Sequence, residues 1–110
     1  MILTRKYDLD VVPGGLPLII RASRNDSSSR LVFSLFAGEG TLSVPNGAAA
    51  SFHGGDVDGA ASLSFENGIP KVTVDLTREM TGSIGCFPFE IAVSSGGSVL
   101  VSPTIILTVR

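Results

Sequence analysis

A chain of 110 residues, 44% hydrophobic and only 16% charged, has room for one packed core and too much apolar content for a disordered segment. Its net charge of −2 comes without a basic stripe, which excludes the electrostatic footprint of a nucleic-acid binder, and its single cysteine, Cys86, excludes an intrachain disulfide. The apolar run after Met1 is far too short for a signal peptide, and no stretch approaches the ~20 apolar residues of a membrane span. Synthesis in a cytoplasm without a signal peptide, and no membrane contact, are therefore expected.

Tyr7, Leu9 and Val11 alternate with Lys6, Asp8 and Asp10, a strand of period two that Pro13-Gly14-Gly15 ends. Residues 16–22 form a second, largely apolar strand, and Asn25-Asp26-Ser27-Ser28-Ser29 is a loop by composition. Arg21, Arg24 and Arg30, with Asp26 among them, read as solvated strand ends. Leu31, Phe33 and Leu35 alternate with Val32, Ser34 and Phe36; with both faces apolar, that strand is central or covered twice. Gly38-Glu39-Gly40 stops it. Residues 41–44 form a short connecting strand before Pro45-Asn46-Gly47, residues 48–53 a strand of small side chains, and residues 54–59 a turn cluster in which Asp58-Gly59 reads as a β-turn.

Residues 60–76 carry the clearest local signal. Asn67-Gly68 suits a type I′ turn, which needs positive φ at both central positions. A loop of those two residues pairs Phe65 with Pro70, Leu63 with Val72 and Ala61 with Val74 on one face, and Ser64 with Lys71 and Ser62 with Thr73 on the other. Residues 77–82 then break the β-pattern, and a single helical turn capped by the Thr77 hydroxyl is predicted there. Phe87, Phe89, Ile91 and Val93 alternate strongly. The closing strand, with Ile105, Leu107 and Val109, is predicted to set Ile105 against Phe89 and Leu107 against Phe87 through a three-residue loop around Gly96-Gly97. Pro88 and Pro103 cannot donate to a ladder and each require an edge or a bulge. About eight strands with frequent turn signals predict an all-β fold, an antiparallel sandwich in a single domain over residues 1–110.

Reactive chemistry is sparse. Cys86, in an apolar strand context, is read as a small buried residue, with a reactive thiol as the alternative. His53 is the only histidine; a Ser-His-Asp set is formally available, yet no Gly-x-Ser-x-Gly elbow presents a serine. Asp56-x-Asp58-Gly59 has the start of a calcium loop, but the bidentate twelfth position falls on Asn67, already committed to a turn. Asp56, Asp58, Glu66 and Glu90 form no evident acid pair, there is no Trp, and Tyr7 is the only tyrosine, so a sugar-stacking platform is poorly supplied. Gly54-Gly55 and Gly96-Gly97 lack the following helix a phosphate cradle needs. No catalytic, cofactor-binding or metal-binding residue is assigned, and no enzyme activity or cofactor is expected.

Taken together, the opening strand at Tyr7-Asp8-Leu9, Arg24-Asn25-Asp26 before Ser29-Arg30-Leu31-Val32-Phe33, then Val44-Pro45-Asn46-Gly47-Ala48, Asp58-Gly59, Val72-Thr73-Val74-Asp75-Leu76, Glu79-Met80-Thr81, Phe89-Glu90-Ile91 and the closing Ile105-x-Leu107-x-Val109 resemble the N-terminal domain of the upper baseplate protein of tailed phages of Gram-positive bacteria. The resemblance runs almost the length of the chain. It implies an immunoglobulin-like β-sandwich acting as a structural component of a phage or prophage virion, at the baseplate or tail tip. The partners it implies are other tail or baseplate proteins, and a homo-oligomer is expected. Family members usually carry a longer C-terminal part holding a receptor-binding protein; this sequence stops at Arg110, as a short stand-alone version or as one domain of a longer protein, so a direct role in carrying one is not expected from the resemblance. A carbohydrate-binding or adhesin-like surface module is the alternative function. The candidate interface is the edge strand over residues 5–12, with Tyr7, Leu9 and Val11, together with the loop over residues 25–29, with Asn25 and Asp26, and Arg30 beside it.

Overall fold

The computed structural model describes residues 2–12, 15–38, 40–45, 47–55 and 57–110. Parts of the turns expected at Pro13-Gly14, Glu39, Asn46 and Asp56 lie outside the described residues. Ten strands and one helical turn follow in order: β1 (Leu3–Asp10), β2 (Leu18–Ala22), β3 (Ser29–Ala37), β4 (Gly40–Thr41), β5 (Ala49–Gly54), β6 (Val57–Glu66), β7 (Ile69–Asp75), α1 (Arg78–Thr81), β8 (Gly85–Ser95), β9 (Ser98–Val101) and β10 (Ile105–Val109). No helix among the described residues is long and apolar enough to cross a membrane.

The fold is an all-β sandwich whose two sheets are continuous through one strand. The path runs β1-β3-β7-β6-β5-β8-β10-β2, with β4 beside β3 and β9 beside β8. β6 belongs to both layers: its residues 62–66 pair with β7 and its residues 57–61 with β5. Two pairings depart from the antiparallel expectation: β1 with β3, and β2 with β10, are parallel. Parallel neighbours need a crossover, and here the chain supplies it by leaving the first layer after β1, laying β2 on the second, and returning as β3.

The Asn67-Gly68 hairpin has the predicted register from Ser62↔Thr73 to Phe65↔Pro70, and φ of 54° and 79° at the two turn residues. Only the Ala61–Val74 pair fails. Ala61 has already crossed to the other layer, where it pairs with Ala50. The register between β8 and β10 is also as predicted, Phe89↔Ile105 and Phe87↔Leu107, but its cause differs. Ser95 pairs with Ser98 across a two-residue loop in which both Gly96 and Gly97 have positive φ. The extra residue sits instead in a bulge, where Ser102, Pro103 and Thr104 oppose Glu90 and Ile91 between the end of β9 and the start of β10. Pro103 is thereby excused from donating, and Pro88 lies beyond the last β5–β8 pair at His53↔Glu90, on an open edge.

Two further turn readings need correction. Asp58 and Gly59 are inside β6, paired with His53 and Phe52, because the β5–β6 hairpin closes earlier, at the Gly54↔Val57 pair. The helical turn α1 forms as predicted between β7 and β8, but the Thr77 hydroxyl makes no capping bond. It is Thr81, fully buried, whose hydroxyl reaches the carbonyls of Asp26 at 2.8 Å and Thr77 at 3.1 Å.

The inward residues of the two layers form one core. Leu31, Phe33, Leu35, Val72 and Val74 from one sheet meet Ile20, Phe89, Ile91, Ile105 and Leu107 from the other, all at 1% exposure or less. Phe33 and Phe89 join the layers edge to face, ring centroids 6.4 Å apart, and Phe52 packs on Phe89 in the same manner. Met80 and Leu76, both 2% exposed, belong to the same core.

Candidate interface

β1 ends the sheet path, so it is an edge strand. Its alternation resolves which groups face outward. Leu9 and Val11 are buried in the core, and Tyr7 is half-buried, stacked on Phe33 at 5.8 Å with the Arg5 guanidinium 5.7 Å from its ring centroid. The apolar pattern that marks this strand is therefore taken up within the protein. What the edge presents is backbone together with exposed Thr4, Lys6, Asp8 and Asp10.

The other end of the path, β2, lies across from it. The Arg5 guanidinium donates to the Arg21 carbonyl, so a side chain of one edge strand covers a free acceptor on the other.

The loop over residues 25–29 is held down from several sides. Asn25, at φ 63°, donates its N–H to the Thr81 carbonyl at 2.9 Å. Asp26 accepts from the Ser28 and Ser29 amides at 2.9 and 3.1 Å and from the Ser29 hydroxyl at 2.6 Å. Partial burial raises the Asp26 pKa, but these hydrogen bonds and the charge of Arg5 outweigh it and hold the carboxyl below its ordinary range. Arg30 pairs with Asp75 across β3 and β7, Nε to Oδ1 at 2.8 Å, and the bond to Asp75 raises its pKa further. Arg24 Nε donates to the Gly82 carbonyl at 3.3 Å. Arg24 and Arg30 are thus tied into local contacts, while Arg21 is exposed. Tyr7 and Leu9 sit on β1, with Val11 just past its end, and Arg30 on its neighbour β3, while Asn25 and Asp26 precede β3 and pack on α1.

Cys86 corrects the expectation of a buried thiol: it is exposed. With Phe87 and Phe89 turned inward, Cys86 falls on the outer side of β8, in register with Thr108.

Sequence reasoning undervalued one cluster. Ser51 Oγ lies 2.8 Å from His53 Nε2, and Asp58 Oδ1 lies 3.5 Å from His53 Nδ1, the order of a nucleophile, base and orienting acid. The signal was the i, i+2 spacing of Ser51 and His53 on one strand face; Asp58 needed the hairpin register. Its setting is poor for acyl transfer. The His53 and Asp58 side chains are 54% and 66% exposed, so water screens the set. Ser51 is paired on both sides, with Ala60 and with Ala92, which commits nearby backbone N–H groups to ladders rather than to an oxyanion hole.

Among the described residues no group of three or more His, Cys, Asp or Glu is placed to hold a metal ion. An apolar groove of about 280 Å³ runs between Leu42, Val44 and Pro45 on one side and Val99 and Leu100 of β9 on the other.

No protein-family model and no curated protein matches the sequence. Among solved structures, the chain is similar to the N-terminal domain of phage TP901-1 ORF48, with a TM-score of 0.66 at 14% identity, over 98% of this chain and 99% of that one. At that identity the likeness is one of fold, and it extends from end to end.

Proposed function

We propose that this chain is a non-enzymatic structural module of a phage or prophage virion, assembled at the baseplate or tail tip through protein–protein contacts. The observation that carries the reading is the fold likeness to a phage protein domain over nearly the full length of both chains. It agrees with the sequence resemblance to upper baseplate domains, which rests on the order of motifs rather than on identity. The immunoglobulin-like description of the sandwich belongs to the same proposal. The surface supports contact rather than turnover: open edge strands at both ends of the sheet path, a ladder-bound serine beside His53, and an ion pair that ties β3 to β7.

Purified virions separated into heads and tails test the proposal. The protein is expected in the tail fraction at a fixed ratio to the other tail proteins. Its absence from particles, together with binding of the isolated chain to cell-wall glycans, would favour the surface-binding module instead.

A further inference from the structure

The free edge of β1 is its own complement. Leu3 N–H donates to the Ser28 carbonyl and Val11 N–H to the Phe36 carbonyl. Alternate residues of a parallel strand bond to the same neighbour, so the odd-numbered residues of β1 face β3. The N–H and C=O groups of Thr4, Lys6, Asp8 and Asp10 then point to the open side. Those same four residues are exposed, and among the described residues neither Lys6 nor Asp8 has an ion-pair partner.

We propose that β1 pairs antiparallel with β1 of a second copy of this chain, about a two-fold axis at Tyr7. This rests on the assembly reading above and gives it a surface and a register. With Tyr7 opposite Tyr7, Lys6 of each copy lies opposite Asp8 of the other, and Thr4 opposite Asp10. Opposite charges meet twice and no like charges meet. In this register each outward N–H of the four residues donates to the outward C=O of the residue opposite, so the pairs are the hydrogen-bonded ones. Tyr7 falls at a non-hydrogen-bonded position, where side chains approach most closely, and each ring extends the existing stack on Phe33. At the ends of the row, Ile2, 58% exposed, faces Val12, 43% exposed. A shift of register by two residues brings like charges together at the axis, Asp8 opposite Asp8 in one direction and Lys6 opposite Lys6 in the other. An interface of this kind is isologous and closes on itself, without propagating along a fibre.

The other open edges are poorer templates. The Arg21 carbonyl on β2 is already taken by Arg5, and β9 has four residues before the bulge at Pro103.

Sedimentation of the purified chain tests the pairing. The wild type is expected to be a dimer. Lys6→Asp and Asp8→Lys, each placing like charges opposite one another twice, are expected to weaken dimerisation about tenfold or more. The combined Lys6→Asp/Asp8→Lys exchange regenerates the same pairs with signs reversed and is expected to restore the dimer. Circular dichroism confirms that each variant keeps its sheet. A monomeric wild type overturns the pairing, as does a dimer indifferent to the single reversals, one not restored by the exchange, or one broken by Val101→Lys on β9. A monomer leaves the virion reading standing, because that reading is tested on particles and not on the isolated chain.

Discussion

Single residues decide this structure where backbone comes close to something that cannot yield. Gly54 is the sharpest case. A Cβ there would stand 2.6 Å from Phe89 Cβ and 2.8 Å from the Pro88 carbonyl oxygen, neither of which is the end of a mobile side chain. Gly54→Ala is expected to cost roughly 1–3 kcal/mol, as overpacking of a filled core does, and urea denaturation measures it. Asp26 is a residue of a different kind, holding a loop by charge. Its carboxyl lies below the ordinary value of 3.8 when folded, so it adds stability above that value and loses it as pH falls through the folded pKa. Asp26→Asn keeps the shape and removes the charge. The wild type is expected to lose stability more steeply than the variant below about pH 4, with the two curves running parallel above it; thermal melts across an acid series check this.

At the scale of elements, the bulge at Ser102 does more than turn a strand. The Ser102 hydroxyl accepts the Ile91 N–H at 2.9 Å and donates to the Pro103 carbonyl at 2.9 Å, in a position only 6% exposed. Ser102→Ala leaves a buried amide without that acceptor and is expected to destabilise by about 1–3 kcal/mol, where Ser102→Thr retains the oxygen and costs less; chemical denaturation of both variants separates the two effects. The same bulge shows which parts of the fold were legible. The facing of Phe89 and Ile105 followed from alternation alone, because a core-facing set cannot slip by one residue without turning outward. The position of the extra residue did not follow, since a longer loop and a bulge give the same facing downstream. Asp58-Gly59 misled for a related reason: a turn dipeptide competes with a strand pattern, and here Gly59 is in the strand because the Phe52 ring lies over it, 2.6 Å from where a Cβ would be. Cys86 was misread because its neighbours are apolar, although the period of two already put it opposite the Phe87 side. The parallel partners of β1 and β2 had no local signature at all. Period two marked Tyr7, Leu9 and Val11 as a strand, yet in an edge strand the apolar face is still the core face, and it is Lys6 and Asp8 that are exposed.

Across the whole molecule, the sheet path would close if β1 and β2 were joined by a ladder. They are joined instead by Arg5, which reaches the Arg21 carbonyl while its guanidinium lies near the Tyr7 ring. Arg5→Ala is expected to cost about 1 kcal/mol. Its clearer mark is expected in amide exchange, with protection falling in β1 and β2 while β8 and β10 keep theirs.

The parallel pairing of β2 with β10 has a consequence in time. β2 is the second strand to be synthesised, and its hydrogen-bonding neighbour is the tenth. Until β10 has been made, the apolar residues of β2, Ile20 among them, have no sheet to join, and on the ribosome they wait exposed while everything between is added. A chain truncated before Ile105 is therefore expected to keep that apolar surface exposed, and refolding of the whole chain, governed by this long-range closure, is expected in the milliseconds-to-seconds range of high-contact-order β-proteins, which stopped-flow fluorescence or circular dichroism checks.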